Sequence, residues 1–333
     1  MASQPHPTMI DRRSFLRNSV LSGAAIATSP PFIAEAAKVE PAASETLVKT
    51  LYKSLNETQR EALVFPFNHG LRTKISNNWH ITEQRIGSFL DKDQNAMVRE
   101  IFLKAHSEEY SDQVIGQVEH DSGNRGFGDS SIAIFGEPNT GEFQFVLTGR
   151  HCTRRVDGDS VKGKAFGGPI FYGHAAESFN EGPEHEGNAY WYQAKRANQV
   201  YQMLDGKQRE AALLSKSPDD NAAAIRLKKN AETLPGLSVS DMTSDQVNGV
   251  KQVLEDLLMP FRNEDRNESI KLIEKAGFDD LHLSFYNDED IAQDGVWDNW
   301  KLEGPHMVWY FRGNPHVHTW VHIADPDAPR DPR

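Results

Sequence analysis

The chain has 333 residues, a single cysteine and a formal net charge of -12 at pH 7. The acidic balance disfavours nucleic acid as a partner, because a protein that binds phosphates needs a cationic surface. With only Cys152 present, the chain can form no internal disulfide and no cysteine-rich zinc or iron–sulfur site.

The first 36 residues have the pattern of an export signal. Arg12 and Arg13 precede an apolar stretch over residues 20–33, and Ala34-Glu35-Ala36 matches a small-residue cleavage site. The stretch is short and contains Pro30-Pro31, which disfavours a membrane anchor. We predict recognition by the twin-arginine export machinery, cleavage after Ala36, and a periplasmic or secreted bacterial protein with no stable membrane insertion.

Four segments carry the pattern of an N-terminal capping box. In each, an Asn, Asp or Thr can accept a hydrogen bond from the N–H three residues on, while a Gln side chain reaches back. The cap residues are Asn56, Asp91, Asp205 and Thr243. Together with the hydrophobic periodicity, they predict helices over residues 44–64, 91–106, 107–119, 190–204, 205–215, 243–258 and 263–276.

The strands are predicted from alternation and from β-branched and aromatic content. They cover residues 130–135, 143–148, 152–157, 169–172, 280–285, 306–311 and 317–323. In each half of the chain the strands gather after the helices, without a regular alternation of strand and helix. That order favours an α+β fold with an antiparallel sheet over a doubly wound parallel fold.

The order of these signals occurs twice along the chain. The segment around the first capping box resembles the segment around the third, and the turn that ends in His151 is echoed by the turn that ends in His306. A repeat of this length indicates a duplication, and it predicts two pseudo-repeated halves, 37–189 and 190–333, within one integrated domain. His151 and His306 would then be equivalent, and the pseudo-twofold axis between them is the predicted place of a shared site.

The segment 313–322 carries three histidines. On a β-strand alternate residues share a face, so the rings of His316, His318 and His322 would point one way, with Val317 pointing into a core. His316 and His318 would lie about 6 to 7 Å apart, close enough for both rings to bind one first-row metal ion. His322, roughly 13 Å beyond His318, cannot easily join them. The alternative is a hydrogen-bonded polar face that binds no metal.

Six short motifs carry a resemblance to a known family. They are Trp79-His80, Phe135-Gly136-Glu137-Pro138, Gly149-Arg150-His151, Ile170-Phe171-Tyr172-Gly173, Glu303-Gly304-Pro305 and His316-Val317-His318-Thr319-Trp320. In order and spacing they are similar to the bacterial domain-of-unknown-function family DUF3500, over nearly all of the chain after the predicted signal. Two departures occur: Arg150 stands where the first His of a Gly-His-His motif is usual, and Thr319-Trp320 stands in place of Ser-Val-Trp. The resemblance implies a shared fold and assigns no reaction.

The histidines are candidate metal ligands. His80, His151, His316 and His318 match the family pattern, and His306 enters through the repeat. We predict that His316, His318 and His151 are the principal ligands of one transition metal, with zinc, copper or iron as the cofactor because imidazole suits all three. Export in the folded state also favours a bound metal, since many proteins that use this route carry a cofactor.

Glu303 is the predicted catalytic residue, as general base of a metal-assisted hydrolysis at an open metal position. The expected substrate is a small molecule or a saccharide, for which the aromatic residues of the late strands are either a stacking surface or core. Two other functions stay open: a copper- or iron-dependent oxidase or oxygenase, and a periplasmic protein that binds a metal or small ligand without catalysis. Cys152 is expected to be buried, with a thiolate ligand for copper or iron as the alternative.

Overall fold

The computed structural model describes residues 43–175, 189–228, 231–288 and 296–328 of the chain. The predicted export signal, residues 1–36, lies outside the described residues. Within the described ranges, no helix combines the length and apolar character that a bilayer-spanning segment requires.

All four predicted capping boxes form, and each begins a helix. The side chains of Asn56, Asp91, Asp205 and Thr243 accept a hydrogen bond from the glutamine N–H three residues on, and the glutamine side chain bonds back. The helices are α1 Ala43–Ser54, α2 Glu57–Leu63, α3 Ile86–Phe89, α4 Lys92–Lys104, α5 Ser111–Asp121, α6 Trp191–Met203, α7 Gly206–Ala212, α8 Ser244–Leu258 and α9 Asn263–Ala276.

The described strands form one mostly antiparallel sheet, which confirms the predicted α+β fold. They are β1 Val64–Phe65, β2 Ser131–Gly136, β3 Phe143–Gly149, β4 Cys152–Val156, β5 Ile170–His174, β6 Leu213–Leu214, β7 Leu237–Ser238, β8 His282–Tyr286, β9 Asn299–Gly304, β10 Met307–Arg312 and β11 Val317–Ile323. Among the described pairs, β1 with β2 and β6 with β8 are parallel, and the remaining neighbours are antiparallel.

Strand β9 is absent from the sequence-based prediction. Its residues Trp300 and Leu302 belong to the apolar core, whereas Lys301 and Glu303 alternate with them. The period of two is therefore present in the sequence. Charged side chains seldom occupy positions as buried as these, with exposed fractions of 5% for Lys301 and 0% for Glu303. The two charges therefore prevented the segment from being recognised as a strand.

The helices cover one face of the sheet and irregular segments cover the other. In the second half Trp309 packs in one apolar cluster with residues of α6 and α8, and in the first half Leu147 packs with residues of α1 and α4. On the opposite face Trp320 packs with Ile75, in the irregular segment before β2, and with Ile225, which ends a short 3₁₀ helix in the segment before β7. The predicted histidine face of β11 therefore lies under these segments and away from the helices.

The sheet has the same strand order when read from either edge to its centre. One side runs β1-β2-β3-β4-β5, the other runs β6-β8-β9-β10-β11, and β5 pairs antiparallel with β11 between them. The glutamines of the capping boxes correspond as well: Gln59 donates to Gln94 over 2.8 Å, and Gln208 donates to Gln246 over 2.9 Å. A duplicated chain would show this correspondence. The duplication itself and a boundary at residue 189 stay predictions.

Asp157, which follows β4, makes the stability of the fold depend on pH. It is buried, and its Oδ2 accepts a hydrogen bond from the Val161 N–H over 2.7 Å. Burial, reinforced by the carboxylates of Asp265 and Asp159, raises the pKa of Asp157 from 3.8 to about 6. Because the folded state holds this proton more tightly than the unfolded chain does, the free energy of unfolding decreases as the pH rises through this interval.

Replacing Asp157 with asparagine is expected to raise the melting temperature by roughly 5 °C at pH 7.5, and by much less at pH 4.5. The amide keeps an acceptor for Val161 but cannot ionise. Thermal unfolding of both proteins at the two pH values measures the difference, with the exposed Asp279→Asn as a control that should not change either value. A gain at pH 4.5 as large as the gain at pH 7.5 would contradict this account.

Candidate metal centre

His151 reaches the site from a strained turn between β3 and β4. The pairing of Gly149 with Cys152 leaves Arg150 and His151 as the two loop residues, and His151 has a φ of 52°. A non-glycine residue in this left-handed region is uncommon and costs free energy, a cost that is found most often at functional sites. The turn is held by a hydrogen bond of 3.1 Å from the His151 N–H to the Asn77 carbonyl oxygen.

His316 immediately precedes β11 and His318 is the second residue of that strand, beside this turn. In the register of the sheet His318 lies opposite Gly173 of β5. A Cβ atom at Gly173 would meet the Val317 carbonyl oxygen at 2.2 Å and the His151 Cβ at 3.3 Å. Glycine at this position therefore permits the turn that carries His151 to approach β11 closely.

The three imidazoles converge on one point. His151 Nε2 and His316 Nε2 lie 3.1 Å apart, and one ring nitrogen from each of His151, His316 and His318 lies within 4.8 Å of the other two. Two nitrogen ligands at 2.0 to 2.1 Å from a tetrahedral ion lie about 3.3 Å from each other, so this spacing fits a shared metal. All three side chains are buried, and His318 Nε2 makes no hydrogen bond to any described residue.

Two carboxylates orient two of the three rings. Asp121 Oδ2 lies 2.5 Å from His151 Nδ1, and Asp220 Oδ2 lies 2.6 Å from His318 Nδ1. If each Nδ1 carries the proton, each Nε2 is left with its lone pair directed at the common point. An imidazole that ligates a metal usually has such a partner on its other nitrogen, which fixes the ring and increases its basicity.

The charge balance of the site favours ionised carboxylates on Asp121 and Asp220 and a neutral imidazole on His151. Burial opposes ionisation of Asp220, but hydrogen bonds from His318 and Trp320 outweigh it and lower the pKa of Asp220 to about 2. For Asp121 the bond from His151 likewise outweighs burial, and its pKa falls below the ordinary value. Burial lowers the pKa of His151 in spite of Asp121. The neutral imidazole is the form that binds a metal ion.

A polar cavity of about 710 Å³ adjoins the three imidazoles. Beside the three histidines and Asp121, its wall includes Asn77, Asn78, His80, Arg125, Asp129 and Arg150. The Arg150 guanidinium lies next to His151 and donates to the Asp121 carbonyl oxygen over 3.4 Å. A metal ion held by three imidazoles would therefore face a space large enough for a small substrate, with hydrogen-bond donors around it.

Comparison with known proteins supports the family and leaves the reaction open. Residues 36–327 match the sequence profile of a family described as "Protein of unknown function (DUF3500)". The chain belongs to this family. No curated protein and no solved structure matches the chain. The resemblance seen in the motifs is thus confirmed, and the chemistry of this DUF3500 protein has to be inferred from its own geometry.

His80 lines the same cavity but is not one of the three converging ligands. Its Nε2 lies 2.9 Å from the Asp129 carbonyl oxygen and 3.9 Å from the Asp129 carboxylate. Burial, and then the neighbouring Arg85, lowers the pKa of His80. The structure thus places His80 in the cavity wall of this DUF3500 protein, beside the three converging imidazoles.

His306 does not join the other histidines. Its carbonyl oxygen accepts a hydrogen bond from the Ala324 N–H, whereas His318 lies opposite Arg312 at the other end of β10. That distance is about 20 Å along the strand. The turns of His151 and His306 do correspond, but β5 and β11 pair antiparallel at the centre of the sheet. A twofold axis through this pair places equivalent turns at opposite ends of the strands, which is why the repeat misled the prediction.

Glu303 is also distant from the three imidazoles. Val308 pairs with Glu303 on one side and with His322 on the other, so Glu303 lies level with His322 and two strands away. The backbone separation from His318 is about 16 Å. Its carboxylate pairs with Lys301 at 2.7 Å and lines a different cavity. The prediction that Glu303 is the base of this centre is therefore wrong.

Cys152 follows His151 directly but faces the other way. Its side chain lies in the apolar cluster that includes residues of α1 and α4, and it is fully buried. Burial raises the pKa of the Cys152 thiol. The thiol is therefore core, and the alternative of a thiolate ligand is wrong for the geometry described.

Sequence reasoning missed Asp121 and Asp220. Asp121 is the last residue of α5, and Asp220 lies in the irregular segment between β6 and β7. Asp220 also accepts bonds from Trp320 Nε1 over 2.8 Å and from Asn77 Nδ2 over 3.2 Å. Neither aspartate is close in sequence to the histidine that it contacts, so only the packing of α5 and of this segment against the sheet reveals their role.

Proposed function

We propose that this DUF3500 protein is a metal-dependent enzyme whose single transition metal is held by the Nε2 atoms of His151, His316 and His318. One observation carries the proposal: three buried imidazoles from two distant parts of the chain converge at the wall of a cavity, two of them fixed by carboxylates. Burial of polar groups costs free energy, so apolar side chains would serve packing better than three buried imidazoles. The arrangement therefore indicates a role for the rings beyond packing.

The ligand set supports catalysis over a structural role for the metal. Structural zinc sites use four protein ligands, whereas catalytic sites keep three and leave a position for water or substrate. In the described residues three side chains converge here, and the adjoining cavity provides the space that an open position needs. A metal in such a site polarises a substrate oxygen and lowers the pKa of bound water to about 7.

We favour metal-assisted hydrolysis of a polar small molecule or saccharide. Arg150 and Arg125 line the cavity, and guanidinium groups suit carboxylate, phosphate or hydroxyl oxygens. The cavity also contains His80 and Asp129, either of which can accept a proton, so loss of the Glu303 assignment does not remove a base from the site. Copper or iron bound by the same imidazoles would support an oxidase or oxygenase instead.

The metal content of the purified protein tests this proposal. Protein folded in its bacterial host is expected to contain about one equivalent of metal per chain, and zinc would support hydrolysis. Copper or iron would move the proposal to oxidation. Inductively coupled plasma mass spectrometry gives the content, and removal of the ion with a chelator should lower the melting temperature, because a bound ion stabilises the folded state. Protein that holds no metal and gains no stability from zinc, copper or iron would refute the proposal.

Export remains a proposal that the N-terminal arginines make testable. Replacing both Arg12 and Arg13 with lysine is expected to keep the full-length protein in the cytoplasm, because the pair defines the export route. Cell fractionation and mass spectrometry would then show loss of the periplasmic form that begins at Ala37. Arg17→Lys, outside the pair, is the matched control and should be exported and cleaved. Normal cleavage of the double variant would count against this route.

A further inference from the structure

A second cavity, of about 550 Å³, lies in the second half of the protein. The strands contribute Leu214, Tyr286, Lys301 and Glu303 to its wall. Glu303 lies about 16 Å from His318, so this cavity is separate from the metal centre. The rest of the lining comes mainly from the segment between β6 and β7.

Two of the charges in this cavity, those of Lys301 and Glu303, are buried and closely paired. Lys301 Nζ lies 2.7 Å from Glu303 Oε2, and Lys228 Nζ lies 3.7 Å from the same oxygen. The side chains of Lys301 and Glu303 are 6% and 0% exposed. Apart from these ion pairs, neither Glu303 oxygen accepts a hydrogen bond from a described residue. A buried ion pair is rarely more stable than well-packed apolar residues, so this pair calls for a reason other than stability.

The corresponding place in the first half is filled. Val64 of β1 pairs with Ile134, and Leu213 of β6 pairs with Phe285, so the preceding residues Ala133 and Ser284 correspond. Ala133 pairs with Val146 on β3, and Ser284 pairs with Lys301 on β9. Val146 is therefore the counterpart of Lys301, and Thr148, two residues on, is the counterpart of Glu303. Val146 belongs to an apolar cluster with Trp79 and Ile81, and Thr148 accepts a hydrogen bond from the Ile81 N–H over 2.8 Å. The fold therefore accommodates uncharged, packed residues at this position. In the second half it holds charges and space instead.

The lining identifies the chemistry of a ligand. Lys216, Arg226, Lys228 and Lys301 outnumber the single carboxylate of Glu303, which favours an anion. The Glu303 oxygens need hydrogen-bond donors, which a hydroxyl group supplies. Apart from Ser217 and Tyr286, the remaining wall is apolar and suits a short hydrocarbon chain or ring. These apolar residues are Leu214, Pro218, Ala223, Ala224, Leu227 and Pro235.

We propose that this cavity binds a small hydroxycarboxylate, with the carboxylate at the cationic side chains, the hydroxyl donating to Glu303 and the apolar body against the segment between β6 and β7. The buried pair of Lys301 and Glu303 is then a preorganised site for two polar groups of one ligand. This inference does not depend on the metal centre.

Calorimetric titration of the His316→Ala protein with lactate, 2-hydroxyisocaproate and mandelate tests the proposal. This background prevents the metal centre from chelating the probes. At least one probe is expected to bind about tenfold more tightly than its analogue without the hydroxyl, because the analogue leaves the Glu303 carboxylate without a hydrogen-bond donor. The analogues are propionate, isocaproate and phenylacetate. Failure of all three hydroxy acids to bind, or equal binding of the analogues, would overturn the proposal.

A variant that carries the first-half residues at the two charged positions, called the transplant, tests the same proposal. Lys301→Val combined with Glu303→Thr, on the same background, copies Val146 and Thr148; it is expected to abolish binding while the melting temperature stays the same or rises. Should this protein not fold, Lys228→Gln is expected to weaken binding several-fold, with Lys104→Gln on the exposed face of α4 as the unchanged control. Undiminished binding in the folded transplant, or in Lys228→Gln, would also overturn the proposal. When the same two substitutions are made in the chain that retains His316, the metal content should equal that of the wild type.

Discussion

The His316→Ala protein is expected to retain less than about a tenth of the metal that the unmodified protein binds, because two remaining imidazoles cannot hold a transition metal against buffer ligands. His316 Nε2 lies 3.1 Å from His151 Nε2, so the substitution removes one of two nitrogens that are spaced to share an ion. Metal content after dialysis, measured by mass spectrometry, gives the result. The variant should also lose the stabilisation that added metal confers on the unmodified protein.

His306→Ala is the matched control for this experiment. It removes a histidine from the corresponding turn of the second half, at the opposite end of β10 from His318. Its metal content is expected to equal that of the unmodified protein. If His316→Ala keeps a full equivalent, or if His306→Ala loses the metal, the ligand assignment is refuted.

Asp220→Asn should weaken metal binding by about 10- to 100-fold, with His151, His316 and His318 all still present. The carboxylate of Asp220 accepts from His318 Nδ1 over 2.6 Å and from Trp320 Nε1 over 2.8 Å. An amide is uncharged, so it orients His318 less firmly and donates less electron density to it. Competition with a chromophoric chelator measures the change in affinity.

Asp219→Asn controls for the loss of one negative charge in the same segment, since Asp219 is exposed and adjacent in sequence. It should leave the affinity within about twofold of the unmodified protein, because an exposed charge is screened by solvent. Equal affinities for Asp220→Asn and Asp219→Asn would show that Asp220 does not support the site. Asp121→Asn repeats the test at the other carboxylate, since Asp121 orients His151 as Asp220 orients His318.

Local signals in the sequence predicted most of the longer helices and strands, but they missed the short elements β1, β6, β7 and α3 as well as β9, and they joined α1 to α2. Each capping box needs a side chain and a backbone N–H three residues apart, so Asn56, Asp91, Asp205 and Thr243 identify helix starts without any distant contact. The alternation on β11 is equally local, and it correctly separated the histidine face from the core face that includes Val317 and Val321.

The candidate site was only partly predictable. His316 and His318 were recognisable as a pair because two residues of one strand share a face whatever the rest of the chain does. His151 was reached through its motif, and the structure brings it to that pair across β5. The same reasoning wrongly joined His306 and Glu303 to the site, because neither motif nor repeat states at which end of a sheet a residue lies.

By itself the sequence determined the helix starts, the strand faces and the pairing of His316 with His318, because these depend on side chains a few residues apart. Tertiary structure alone decided which distant groups meet them. The antiparallel pairing of β5 with β11 placed the two equivalent turns at opposite ends of the sheet, so His151 faces His318 while His306 does not. Asp121 and Asp220 enter through the packing of α5 and an irregular segment, contacts whose partners are 30 and 98 residues away along the chain.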